Sequence, residues 1–182
     1  MMRTMTYHPE QVIVSHTLVA DVGAGGIRIG RGTPLSNEPY ENRTRAITVN
    51  NSRIVNGSNV YHAGNGVLLQ NSPEFTLTRS EVAYFNHVGV TLGWVWGVQL
   101  PPMTGNNTVE YNHVHHVGNN DLSDLGGIYA LGVQPGTKIR MNLVHHAVPY
   151  YMYGHGVYFD EGTSGILMEK NWVHSAFSAL VR

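Results

Sequence analysis

The sequence has no cysteine, which excludes disulfides and thiol chemistry, so any stable fold must rest on packing and hydrogen bonding. Charge is scarce as well. Only 13% of residues are charged, and 11 Lys and Arg against 12 Asp and Glu leave a formal net charge of -1. Without a sustained basic surface the chain is poorly suited to phosphate backbones, and no nucleic-acid partner is expected. No apolar run approaches the roughly 20 residues needed to cross a bilayer, so no membrane-spanning segment is expected either. The opening MMRTMTYHPEQV lacks an apolar stretch of signal-peptide length. What is abundant is Gly, at 21 residues, and Asn, at 16, two types that weaken helices and argue against a helical bundle. With 42% hydrophobic residues, the chain can still bury a core.

The Gly and Asn usage follows an internal repeat. A short pattern of an apolar residue, two residues, Asn or Ser, one residue and an apolar residue recurs as VNNSRI, LTRSEV, VEYNHV, IRMNLV and MEKNWV. The copies begin at Val49, Leu77, Val109, Ile139 and Met168, spaced by 28, 32, 30 and 29 residues, with a fainter copy, IVSHTL, at Ile13. A second apolar segment follows each time after a glycine: GIRIG, GVLLQ, GVTLG, GIYALG and GVYFD. Period-2 alternation turns Ile27, Val67, Val90, Ile128 and Val157 inward, together with Ile29, Leu69, Leu92, Ala130 and Phe159. Two strands per repeat are read directly, and the glycines of DVGAGGIRIGRG and DLGGIYALG are read as bends. Such a repeat, with two or three short β segments and no helical periodicity, predicts an all-β solenoid of about five to six turns, spanning residues 1–182 as one domain. Ser52, Ser80, Asn112, Asn142 and Asn171 form a column at a bend.

The segments GGIYALG with KIRMNLVHH, and GVYFDEGTSGILMEKNWVH, resemble turns of the right-handed single-stranded parallel β-helix proteins of the pectate-lyase-like superfamily, closest to β-helix glycoside hydrolases. The resemblance spans Ile13 to Arg182 and is strongest from Val109. It implies a carbohydrate-active enzyme, a polysaccharide or oligosaccharide partner, and a secreted or cell-surface parent protein. Family chains are usually much longer, so missing flanking turns at one or both ends are expected. The alternatives are a noncatalytic glycan-binding or surface module and a polysaccharide lyase. The calcium-binding carboxylate cluster and abstracting base of many pectate lyases have no counterpart here, and no cofactor or metal is assigned.

The matching segments carry Asp124 and Tyr129 in SDLGGIY, and His155, Tyr158, Asp160 and Glu161 in GHGVYFDEG. Asp160 follows the inward Phe159 and shares the outward side with Tyr158, one turn from Tyr129. Glycosidic hydrolysis needs a proton donor and a second carboxylate, about 5–5.5 Å apart for retention and 6.5–9.5 Å for inversion. Asp124 is the first partner for Asp160, provided the bend at Gly126 and Gly127 shortens a displacement of seven alignment positions. Otherwise Asp124 works with His155, or Glu161 takes a place in the pair. Each of these acids has a structural alternative as a loop-capping group. Trp94 and Trp96 on GWVWG, and Tyr153 in AVPYYMYGHG, are candidates for stacking against sugar rings. His115, His145 and His174 fall in one outward column, beside His116 and His146. His115 and His145 are read as contacting sugar hydroxyls, since stacking aligns equivalent residues whether or not they hold a metal. His87 and His113 add no recognised metal spacing.

Overall fold

The structure is a computed structural model that describes residues 10–31 and 39–181. The opening residues 1–9, residues 32–38 and the last residue lie outside the described residues.

Each turn of the chain makes three short strands. The first turn holds β1 (Ile13–Ser15), β2 (Leu18–Ala20) and β3 (Ile27–Gly30), and the second β4 (Thr48–Asn50), β5 (Arg53–Val55) and β6 (Val67–Gln70). The third holds β7 (Thr76–Thr78), β8 (Glu81–Phe85) and β9 (Val90–Leu92), and the fourth β10 (Thr108–Glu110), β11 (His113–Val117) and β12 (Leu125–Ala130). The fifth holds β13 (Val133–Arg140), β14 (Leu143–Ala147) and β15 (Gly154–Phe159), and the sixth β16 (Ser164–Glu169), β17 (Trp172–Ala176) and β18 (Ser178–Val181). Every strand pairs in parallel with its equivalent one turn away, giving three six-stranded sheets that run the length of a parallel β-helix.

Of the two or three short β segments that the repeat allows, three form, because the first apolar segment of each repeat straddles a corner. At that corner Asn51, Arg79, Tyr111, Met141 and Lys170 have φ between 47° and 57°, a left-handed conformation that ends one strand and re-aims the next. None of them is glycine, so the sign of the corner in the sequence is the polar column expected at a bend. The next residue in each case belongs to the polar column. Ser80 Oγ accepts from the Ser52 amide at 3.1 Å, and Asn112, Asn142 and Asn171 each accept the preceding turn's amide at 3.0 Å. These side chains, buried at Ser80, Asn112 and Asn142 and half-buried at Asn171, satisfy amides that the corner removes from the sheet ladder.

Val49, Leu77, Val109 and Ile139 of the first sheet, Ile54, Val82, Val114 and Val144 of the second, and Val67, Val90 and Ile128 of the third meet in one fully enclosed core. The glycine just before the inward Val67, Val90 and Ile128 is set by this packing. A Cβ on Gly66, Gly89 or Gly127 would lie 2.3, 2.6 or 2.4 Å from a methyl of Val82, Val114 or Val144, and 2.6–2.8 Å from the next glycine's carbonyl oxygen. Gly26 and Gly127 are thus close-approach residues, which corrects their reading as bends. Gly30 and Gly132, with φ of 81° and 77°, do turn the chain. Gly127→Ala is expected to force the second and third sheets apart and destabilise the protein by about 1–3 kcal/mol. Urea unfolding followed by circular dichroism reads this directly; an unchanged midpoint would mean that the sheets spread without cost.

Candidate functional site

The outer face of the third sheet aligns Thr91, Tyr129 and Tyr158 in consecutive turns, so these side chains form a column. The Tyr129 and Tyr158 rings meet edge to face with centroids 5.1 Å apart. Their hydroxyls carry the two aspartates in a crossed arrangement. Asp124, which precedes the strand of Tyr129, accepts from Tyr158 Oη in the next turn at 3.1 Å. Asp160, which follows the strand of Tyr158, accepts from Tyr129 Oη in the previous turn.

Local turns hold each acid in place. Asp124 has φ 59°, which re-aims the chain as it enters β12. Asp160 donates its amide to the Ala130 carbonyl at 3.0 Å and accepts the Thr163 amide at 2.9 Å, so it opens a closed turn. Both acids line one pocket of about 220 Å³, together with Asn65, His87, Thr91, Ser123 and the two tryptophans. Burial, then the Asp160 carboxylate, raises the Tyr129 hydroxyl far above its ordinary value. Burial and Asp124 do the same for Tyr158. Both phenols therefore remain protonated donors across the working range of an enzyme. Each carboxylate keeps further lone pairs for a ligand after accepting one phenol.

Trp94 and Trp96 close one side, with ring centroids 5.1 Å apart and nearly perpendicular planes, and Trp96 is 56% exposed. His87 lies in the wall with Nδ1 3.2 Å from Asn65 Oδ1, and Asn65 donates to Thr91 Oγ1 at 2.9 Å. Burial pulls His87 below the ordinary histidine range, opposed in part by Asp124.

The other sequence candidates are placed apart from this pocket. His155 is buried beneath Tyr158, with ring centroids 4.7 Å apart and Nδ1 2.7 Å from Ser178 Oγ, and burial lowers its pKa. It backs the tyrosine and lies outside the pocket lining. Glu161 is exposed in the adjacent open depression with Gly162 and Thr163. Tyr153 is half exposed, 6.0 Å from His155 between centroids. His115 and His145 stand on the second sheet in register with each other, on a different face from the carboxylates. Burial and the surrounding imidazoles push His145 down to about 4, so it is uncharged at neutral pH.

A family model described as a right handed beta helix region matches residues 10–181. The chain belongs to the right-handed β-helix family. A solved structure titled "Glycoside hydrolase" superposes on this β-helix with a TM-score of 0.77 and 22% identity, over 92% of this chain and 30% of that one. At that identity the likeness shows the shared fold, and the chain spans under a third of that protein's length. No curated protein matches.

In this β-helix four polar residues of the pocket were not among the site residues expected from sequence: Asn65, His87, Thr91 and Ser123. Thr91 was within reach, because the register that pairs Tyr129 with Tyr158 also pairs Tyr129 with Thr91. Asn65 and His87 enter from loops of unequal length before β6 and β9, and carry no motif that marks them.

Proposed function

We propose that this β-helix is a glycoside hydrolase acting on a neutral polysaccharide or oligosaccharide, with Asp124 and Asp160 as its carboxylate pair. The observation that carries the reading is the convergence of these two acids on one tryptophan-walled pocket. A pyranose presents an apolar face to an indole and hydroxyls to the polar wall. The substrate is neutral on this reading because the residues that line the pocket include two carboxylates and neither Lys nor Arg. A uronate or sulfated sugar would bring like charges together without a cation between them.

In the reaction one carboxyl protonates the leaving glycosidic oxygen, while the other activates water or attacks the anomeric carbon through an oxocarbenium-like transition state. Tyr129 and Tyr158, held protonated, each donate their one O–H to a carboxylate and so keep the two acids oriented. The solved structure's title agrees with this class of chemistry. A second reading, a noncatalytic glycan-binding module, is favoured by the hydrogen bonds already made to both carboxylates, which suit anchoring as well as catalysis.

The test is a panel of neutral glycans assayed for new reducing ends, with binding measured in parallel. Release from at least one glycan supports the hydrolase, while binding without release supports the module. Trp96→Ala is expected to weaken glycan binding about tenfold, the loss of roughly 1.4 kcal/mol of stacking and burial. Titration calorimetry checks this, and unchanged affinity would remove Trp96 from the subsite.

A further inference from the structure

The outer face of the second sheet carries six imidazoles on β11, β14 and β17. Stacking of equivalent residues accounts for part of this. His115 on His145, His145 on His174, and His116 on His146 lie 5.1, 4.9 and 4.6 Å apart with planes within 16° of parallel. His113 breaks the pattern. Its register neighbours are Glu81 and Leu143, yet its ring leaves that column. His113 Nε2 approaches His145 Nε2 to 2.7 Å, and its ring centroid lies 4.0 Å from that of His115. Glu81 makes the same diagonal step one turn earlier, bringing Oε1 3.2 Å from His115 Nε2. Rung stacking alone does not produce this convergence.

We infer that His113, His115 and His145 form a binding site for a divalent transition-metal ion, of which zinc is the probe. One nitrogen from each residue lies within 4.8 Å of the others. A tetrahedral zinc with bonds of about 2.0–2.1 Å separates its nitrogen ligands by about 3.3 Å, so small ring rotations close the set. Imidazole donors suit zinc, copper and nickel, and select against magnesium and calcium. In the metal-free site the 2.7 Å contact is a single N–H···N hydrogen bond, which the ion replaces.

A second group, His116, His145 and His146, competes for the same residue. It approaches the other ring nitrogen, since His145 Nδ1 lies 2.6 Å from His146 Nδ1. The first set is favoured by charge. Glu81 stands beside it with its other oxygen 2.6 Å from Arg53 Nε, so a fixed carboxylate offsets part of the cation's charge. Among the described residues no carboxylate hydrogen-bonds His116 or His146. An ion held by the first set would join β11 to β14 and tie adjacent turns together.

The experiment is calorimetric titration of the chelator-treated full chain with zinc, repeated with cobalt to read coordination from its visible absorption. One equivalent with a tetrahedral cobalt spectrum is expected, together with a zinc-dependent rise in Tm. His113→Gln and His145→Gln should each weaken zinc by more than about tenfold, and His113→Gln should abolish the Tm rise. His174→Gln, in the stacked column but outside the set, should leave affinity within about threefold, and His116→Gln, whose Nδ1 lies 2.7 Å from His115 Nδ1, should weaken zinc less than His113→Gln does. Failure to bind one equivalent overturns the site. So does a His113→Gln protein, folded by circular dichroism, that binds as the parent does, or an equal loss in His116→Gln or His174→Gln.

Discussion

Asp160→Asn is expected to lower glycan hydrolysis by about 100- to 10,000-fold while leaving glycan affinity close to that of the parent, the range typical of losing a positioned acid or base. The substitution is mild for the fold, because the Asn carbonyl can still accept from Tyr129 Oη and the backbone turn to Ala130 and Thr163 is unaffected. What disappears is the ability to carry a proton or a negative charge next to the reacting bond. Asp124→Asn should lose activity on the same scale, and the double variant should lose little beyond either single one, since two groups serving one transition state are not additive. Glu161→Gln supplies the contrast: Glu161 is exposed outside the shared pocket, so its turnover should stay within about threefold of the parent. Steady-state rates on the glycan that the parent cleaves, with calorimetric Kd for each variant, decide the matter. Asp160→Asn turnover near the parent level would dismiss the carboxylate pair, and a large loss in Glu161→Gln would move the site to the neighbouring depression.

The parts of this arrangement that were legible in the sequence are those that stacking makes automatic. In a solenoid a period of about 29 residues becomes lateral contact, so counting places Tyr129 beside Tyr158 and His115 beside His145. The inward columns follow from the two-residue period in the same way. The corner between the first and second strands was legible as the bend at the Ser and Asn column, but its backbone conformation was not, because Asn51, Arg79, Tyr111, Met141 and Lys170 adopt positive φ without a residue type in common. Glycine misled in the opposite direction: Gly66, Gly89 and Gly127 are small so that two sheets can approach, and the repeat that displays them gives no hint whether space or φ is the reason. The carboxylates lie between these cases. Counting puts Asp124 and Asp160 seven positions apart. The exchange of tyrosines between adjacent turns, which directs both acids to one pocket, depends on turn geometry and hydroxyl reach. His113 shows the same limit, since its register predicts a column that its ring abandons.

Asn142→Leu is expected to destabilise the protein by about 2–6 kcal/mol, although leucine matches asparagine in the number and branching of side-chain heavy atoms. Asn142 is nearly fully buried, and its Oδ1 accepts from both the amide and the side-chain nitrogen of Asn112 at 3.0 Å. Its Nδ2 donates to the Val109 carbonyl and to Asn171 Oδ1, each at 2.9 Å. Leucine fills the space but strands the Asn112 amide and removes a donor from the Val109 carbonyl, at about 1–3 kcal/mol for each buried group. The protein itself contains the milder alternative, because Ser80 at the equivalent corner still accepts the Ser52 amide at 3.1 Å. Asn142→Ser should therefore cost less than Asn142→Leu, despite removing more atoms. That order separates hydrogen bonding from packing: a cavity argument ranks serine as the worse substitution, and a satisfaction argument ranks leucine so. Because each turn contacts only its neighbours, the loss should fall on the fourth and fifth turns first. Urea midpoints give the order, and amide exchange in β11 and β14 gives the location. A leucine variant as stable as the parent would reduce the asparagine column to a by-product of stacking.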